Sequence, residues 1–431
     1  MSGDNGPSKV TTMVSASPVS SLAHGRRCRF CEAPVELTVV DLGMSPLCES
    51  FLRADQLHLM EPFYPLHVYA CERCWLVQLE EFVPPNEIFS EYAYFSGYST
   101  SWVEHARRYV DAIRAALDLG PHDLVVELGS NDGYLLQHFL GHGIPLLGIE
   151  PAANVAKVAE GRGVPTLVAF FGAEVARDLV ARGQRARLVI GNNVLAQVPD
   201  LNDFVTGVKI LLREDGTATF EFPHLLRLLE GVQYDTIYHE HFSYFSLWTV
   251  DQIFRAHELA IYDVEELPTH GGSLRVYVQH VDGPHPTQST VSTLLAVEQE
   301  AGLRSAARYR RFADEVVDSK HALLDLLIRL KREGRRVIGY GAPGKGNTLL
   351  NYCGVRTDLL EYTVDRNPYK HGLFTPGTHI PIHPPDVIAE TRPDYILVLP
   401  WNLIDEISEA LAYTRAWGAR LIVPIPLARI L

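Results

Sequence analysis

Four cysteines stand as two C-x-x-C pairs, Cys28/Cys31 and Cys71/Cys74, with 39 residues between the pairs. Each pair can sit on a tight turn that aims two sulfurs at one point. Together they complete a tetrahedral four-thiolate set with no open position, so the chemistry expected is zinc held for folding and not for catalysis. Two redox pairs or buried thiols are the alternatives. Cys48, between the pairs, lacks a close partner and reads as a small buried residue. A second cluster, TIYHEHFSYFS, holds Tyr238, His239, Glu240, His241, Tyr244 and Phe245. Two histidines beside a glutamate are candidates for proton transfer near neutral pH. His239 and His241 should point to opposite sides and are not spaced as H-E-x-x-H, which argues against a metal there. A third cluster, IFSEYAYFSGYS, carries Tyr92, Tyr94 and Tyr98. These either line a sugar or nucleotide pocket or pack two domains together.

Further candidates fall at predicted strand ends. VVELGSNDG carries Glu127, Gly129, Asn131, Asp132 and Gly133 as E-x-G-x-x-x-G. Gly129 lets a ligand approach the backbone where the strand stops. PLLGIEP then ends on Glu150, a carboxylate placed to accept from both hydroxyls of a ribose. LVIGNN ends on Asn192 and Asn193. Nearer the C-terminus, IGYGAPGKG sets Gly339, Gly341 and Gly344 as G-x-G-x-x-G, with Asp365 lying 26 residues after Gly339. Taken alone, that is a dinucleotide fingerprint.

These residues need a scaffold of alternating elements. DLVVELG, PLLGIEP, PTLVAFFG and RLVIGNN read as strands. GYLLQHFLGHG, ANVAKVAEGRG and GAEVARDLVARG read as the helices between them. Such alternation implies a parallel sheet covered on both faces. Residues 100–118 have helical apolar spacing. GTATFEFP, LAIYDVEEL and SLRVYVQHV are further strands, residues 294–333 form a long helical stretch, and a second α/β series follows. The expected division is a disordered tail over 1–25, a zinc-binding module over 26–98, a first α/β domain over 99–299 and a second over 300–431. The module buries too little core to stand without a metal.

Composition bounds the rest. The 431 residues are 47% hydrophobic and 21% charged with net charge −14, as expected for a globular chain of two or three domains. The acidic balance argues against a nucleic-acid binder. No apolar run is long enough to cross a membrane, and the N-terminus has no apolar signal core. A cytoplasmic chain with reduced cysteines is expected, and nothing demands more than a monomer.

The glycine loop, the ribose acid and the fourth-strand asparagines, in that order, resemble the class I S-adenosylmethionine-dependent methyltransferase fold. With the cysteine pairs, EYAYFSGYS, GNNVLAQVPD, YHEHFSYFS, GYGAPGKGNTLLNY and PGTHIPI, nearly the whole chain beyond the tail resembles the nucleotide-sugar C-methyltransferases of deoxysugar and antibiotic biosynthesis. The resemblance implies a class I Rossmann-like methyltransferase domain and a C-terminal second Rossmann-like α/β domain. It also implies methylation at C3 of a dTDP-4-keto-deoxysugar. His241 would be the base, with Tyr238, Glu240 and Tyr92 beside the reacting sugar and Glu240 a secondary base candidate. Glu127, Gly129, Asn131, Asp132, Gly133, Glu150, Asn192 and Asn193 would hold the cofactor. Tyr94, Tyr98, Lys345, Asn347 and His379 would serve the substrate, and Lys345 with the second glycine loop would suit a diphosphate at a helix N-terminus. Two departures stand out: Gln197 where the family often has His, and GAPGKG where it often has GAPAKG. The competing expectation is an NAD(P)-dependent sugar-nucleotide oxidoreductase using that second loop.

Overall fold

The computed structural model describes residues 25–89 and 95–431, and the side chains of Phe89 and Tyr98 are not described. The tail up to residue 24, Tyr92 and Tyr94 lie outside the described residues. Three sheets organise the chain. The largest is built from β4 (Leu124–Leu128), β5 (Leu146–Ile149), β6 (Thr166–Leu167), β7 (Ala186–Asn192), β8 (Leu212–Pro223), β10 (Leu259–Leu267) and β11 (Ser273–His280). Its strand order is β10-β11-β8-β7-β4-β5-β6. From β6 across to β8 the strands run parallel, and β11 and β10 add antiparallel strands at one edge. The central strands are buried on both faces, which is why they read as continuous apolar runs.

Helix Thr100–Ala116 covers this sheet. It starts at Ser99, whose hydroxyl accepts from the Trp102 amide, and buries Ala106, Tyr109, Val110 and Ile113 along one face. Three expectations need correction. GYLLQHFLGHG is no α-helix but a 3-10 turn over Leu136–Phe139. Gly133, Gly141 and Gly143 take positive φ around it and leave too few residues for a helix to propagate. PTLVAFFG shortens to the two residues of β6. The stretch 294–333 is two helices, Ser289–Glu300 and Ala306–Arg332, interrupted at a left-handed Gly302.

The C-terminal sheet is β14 (Ile382–His383), β13 (Thr363–Val364), β12 (Val337–Tyr340), β15 (Tyr395–Val398), β16 (Arg420–Val423) and β17 (Arg429–Ile430), parallel except for β17. Helix Gly344–Cys353 follows β12.

The cysteine module supplies β1 (Leu37–Ser45), β2 (Tyr64–Ala70) and β3 (Val77–Leu79), and its fourth strand comes from far along the chain. β9 (Ser243–Tyr244) pairs antiparallel with β3, Val77 opposite Tyr244 and Gln78 opposite Ser243. The Leu79 amide also donates to the Phe242 carbonyl. The module has no private core. Cys28, Cys71, Cys74 and Leu76 pack in one cluster with Phe245, Val250 and Phe254. Its other apolar residues, Val39 and Val68 among them, share a cluster with Tyr309, Phe312 and Leu349.

The four cysteine sulfurs all lie within 4.8 Å of one another, with Cys28–Cys74 and Cys31–Cys71 at 3.5 Å. The edges of a zinc-thiolate tetrahedron are about 3.8 Å, given Zn–S bonds of about 2.3 Å. The set therefore fits zinc and is too open for disulfides. Purified protein should carry one zinc per chain by elemental analysis. Cys71→Ser should lose it and lower the melting temperature on the order of 10 °C.

Candidate active site

The base-bearing segment is fixed from both sides. Phe242 donates its amide to the Ala196 carbonyl beyond β7, and β9 is clamped to β3. His241 points away from the module. Its Nδ1 lies 3.1 Å from the Thr236 carbonyl, so that nitrogen carries the proton and Nε2 keeps a free lone pair. The ring rests on Tyr238 at 4.1 Å between centroids. Burial lowers its pKa to about 4; the nearby His270 and the positive Lys345 act in the same direction. His239 faces the other way, toward the Pro65 carbonyl at 3.2 Å and the Tyr64 ring. Among the described residues only the four cysteines form a cluster able to ligate a metal. Glu240 is buried, 3.8 Å from the Cys48 sulfur. Cys48 is thus a buried residue, as expected, but one against the reacting cluster.

The cofactor candidates line the carboxyl ends of the seven-stranded sheet. Gly129 has φ +63, and a Cβ there would come within 3.1 Å of Val194. Gly133, at φ +75, packs as closely on Ala159. Glu127 is 1% exposed with one oxygen unpartnered, and burial raises its pKa well above the ordinary value, helped by the charges of Glu150 and Asp132. Asn192 is buried with both amide atoms unpartnered. Glu150 is raised by burial although the amides of Ala152 and Asn131 bond it at 2.9 Å. Three crowded carboxylates and a pair of orphaned amide atoms fit a cationic ligand with polar ends, as S-adenosylmethionine is.

Asn131 and Asp132 also reach the linker. Asn131 Oδ1 accepts from the Ser96 amide at 2.9 Å and Asp132 Oδ2 from the Gly97 amide at 3.1 Å. They fasten the aromatic linker across the glycine loop. Gly97 packs closely there: a Cβ would sit 2.5 Å from the Asp132 carboxylate, which would have to shift.

The substrate candidates diverge. Lys345 is half-buried, bonded to Asn402 at 2.8 Å, over the Trp401 ring and close to Asp235, with its pKa lowered by burial. Asn347 donates to the Cys48 carbonyl at 2.6 Å and keeps its buried Oδ1 unpartnered. His379 bonds Glu61 at 3.0 Å, which ties the PGTHIPI turn to the cysteine module. The second glycine loop is not open. The Glu49 carboxylate lies against the Gly344 amide at the helix N-terminus, paired with Lys370 at 3.4 Å. Asp365 is consumed by the amides of Ala342 and Asn367, both at 2.7 Å. The dinucleotide fingerprint is therefore filled by the chain's own groups, and a diphosphate at that helix would have to displace Glu49.

Several site residues escaped the sequence motifs. Glu221 on β8 lies directly opposite Arg275 on β11. Its side chain is fully buried and bonds Arg275 at 2.6 Å, His105 at 2.9 Å and Thr269 at 2.9 Å. Burial alone would raise this carboxylate; His105 and Arg275 hold it below the usual value instead. Trp102 stacks on His105 and Tyr134. His270 meets Trp102 edge-on and Asn193 at 3.3 Å. The signal was present: a charge inside each of the apolar runs TATFEFP and SLRVYV, facing each other once the strands pair.

The fold and this pocket define a class I S-adenosylmethionine-dependent methyltransferase with an attached zinc-binding module. Comparison with known proteins agrees. A zinc binding domain matches residues 28–89, a methyltransferase domain 102–264 and a C-methyltransferase C-terminal domain 268–426. The C-methyltransferase NovU of Streptomyces niveus is 38% identical over 404 residues, spanning 94% of this chain and 96% of that protein. A solved S-adenosylmethionine-dependent methyltransferase from Clostridium acetobutylicum superposes on 41% of this chain and 92% of its own, with TM-score 0.34 and 12% identity. One from Anabaena variabilis covers 41% of this chain and 84% of its own, with TM-score 0.34 and 14% identity. The chain belongs to the C-methyltransferase family of which NovU is a member. No described helix is long and apolar enough to cross a membrane.

His241 and His270 are both lowered to about 4 by burial, from an ordinary value of 6.5. Between those values the unfolded chain binds more protons than the folded one, so stability rises with pH across that window and falls as pH drops from 6.5 toward 4. Melting temperatures measured over this range should show that fall, and His241→Asn should flatten it.

Proposed function

We propose that the chain methylates C3 of a dTDP-linked 4-keto-deoxysugar. The observation that carries this reading is His241: a half-buried imidazole kept neutral, with its proton fixed on Nδ1 and no partner for Nε2 among the described residues. A proton α to a ketone is acidic enough for such a base, and a neutral ring near pH 7 is the competent form. His241 Nε2 takes the C3 proton, the C–H electron pair moves into the enolate, and the proton later passes to solvent. S-adenosylmethionine, when bound, supplies an electrophilic methyl for the carbon so exposed. Glu127, Gly129, Gly133, Glu150, Asn192 and Asn193 are the residues we assign to holding it. Asn131 and Asp132 act through the linker they fasten.

Tyr238 and Glu240 flank the base and are assigned to the sugar side, with Tyr92, Tyr94 and Tyr98 from the linker. Lys345 lies close enough to depress His241, which supports a place at the sugar end of the pocket. Asn347 offers its free Oδ1. His379 is assigned to holding the module against the C-terminal domain, on its Glu61 contact. Gln197 does not titrate, so general base chemistry is assigned to the YHEH cluster, with His241 first and Glu240 the secondary candidate.

The experiment is mass spectrometry of reactions with methyl-labelled S-adenosylmethionine and a panel of dTDP-4-keto sugars deuterated at C3. Gain of one methyl with loss of that deuterium is expected. His241→Asn should reduce transfer by at least about 10²-fold while calorimetry still shows cofactor binding. Near-normal turnover by this variant would remove His241 from the chemistry.

A further inference from the structure

His270 belongs to a turn that is fixed from every side. Thr269 hydroxyl donates to Glu221, Gln233 Nε2 donates to the Gly271 carbonyl at 2.8 Å, and the His224 amide donates to the Gly272 carbonyl at 3.0 Å. A Cβ at Gly271 would lie 2.8 Å from Trp401, and one at Gly272 would lie 2.6 Å from Arg227, so both glycines pack closely on their neighbours. Within this frame His270 itself takes φ +54, a left-handed conformation that a histidine holds only at a cost. Asn193, its partner across the pocket, is left-handed too at φ +57. Two left-handed residues thus meet side chain to side chain just beyond the end of β7.

The ring lies between the two halves of the pocket. On the cofactor side it meets Trp102 at 5.0 Å and Asn193. On the other side it is near enough to His241 to depress that imidazole, and it feels the charge of Lys345 from helix Gly344–Cys353. Glu221 from β8 and His105 from helix Thr100–Ala116 face it from below, with opposing effects on its charge. With the Asn193 amide nitrogen donating, His270 Nε2 is the acceptor and Nδ1 carries the proton. Among the described residues no hydrogen-bond partner meets that Nδ1.

We propose that His270 is a second catalytic imidazole, which donates its Nδ1–H to the substrate ketone oxygen as His241 removes the neighbouring proton. This rests on the keto-sugar reading above. The step balances without a further reagent: the C–H pair shifts to the C–C bond, the carbonyl pair shifts to oxygen, and His270 stabilises that oxygen by a hydrogen bond and returns unchanged. Burial keeps the ring neutral near pH 7, and a neutral imidazole is a donor suited to a developing oxyanion. Asn193 fixes the tautomer and Thr269–Glu221 fixes the turn.

The test separates proton removal from methyl transfer. Exchange of the substrate C3 hydrogen with solvent deuterium is followed by mass spectrometry with S-adenosylhomocysteine in place of the methyl donor. Cofactor affinity is measured in parallel by calorimetry. His270→Ala should lower exchange and methyl transfer together by about 10²–10³-fold, with cofactor affinity changed less than about threefold. His270→Asn, which keeps an N–H donor and tolerates the left-handed backbone, should recover part of the exchange and also serves if the alanine variant fails to fold. Exchange at the wild-type rate in either variant would overturn the proposal. So would a loss of cofactor affinity large enough to account for the lost rate. Failure of the wild type to exchange on any keto-sugar nucleotide would overturn the substrate reading, and this inference with it.

Discussion

The placement of the base depends on a two-residue backbone pairing. β9 closely follows His241, and its only strand neighbour among the described residues is β3 of the cysteine module. A two-residue strand has no stability of its own. It holds its place because Val77–Leu79 is itself paired to β2 and anchored a few residues after Cys74, and because Phe242 is tied to Ala196. The direction of the His241 ring is set by the turn that leads into this pairing, in which the His241 amide donates to the Tyr238 carbonyl and the His239 and His241 rings face opposite ways. Strand β3 of the cysteine module thus helps to hold the base segment in place.

A second layer supports this arrangement from below. The Glu221–Arg275 pair crosses between β8 and β11 where both side chains are buried, and the more of its remaining lone pairs and protons are met the less such a pair costs; Arg275 Nε has no partner among the described residues. His105 and Thr269 meet those of Glu221, and the Tyr109 ring lies 4.4 Å from the guanidinium. Through Thr269 and His105 the pair reaches the His270 turn and the Trp102 stack at once. The polar network so joins the antiparallel edge of the sheet to the parallel strand ends where the cofactor residues gather.

Much of this was legible in the sequence, for identifiable reasons. The cysteine spacing, the strand-end glycines and the opposed directions of His239 and His241 are local patterns, and local patterns survive folding. The 3-10 turn at Leu136–Phe139 was missed because apolar content suggested a helix while the flanking glycines decided otherwise. The second glycine loop misled for a different reason. Its G-x-G-x-x-G is real, but Glu49 arrives from the cysteine module, far away along the chain, to sit at its helix N-terminus, and no local pattern announces so distant a partner. Asn131 and Asp132 were given to the cofactor by position, and no local pattern announced that their side chains also accept from the linker amides of Ser96 and Gly97.

The shared burial of the cysteine module has a consequence for how such chains can change over time. One of its faces belongs to the same apolar cluster as the methyltransferase sheet, the other to the cluster under the C-terminal domain, and its edge strand carries the base segment. A segment exchanged from a relative would have to match two foreign cores and one foreign strand register simultaneously. The three parts are drawn as separate units along the sequence, yet they are heritable only together, and new substrate preferences must arise by substitutions at the pocket walls and not by shuffling of parts.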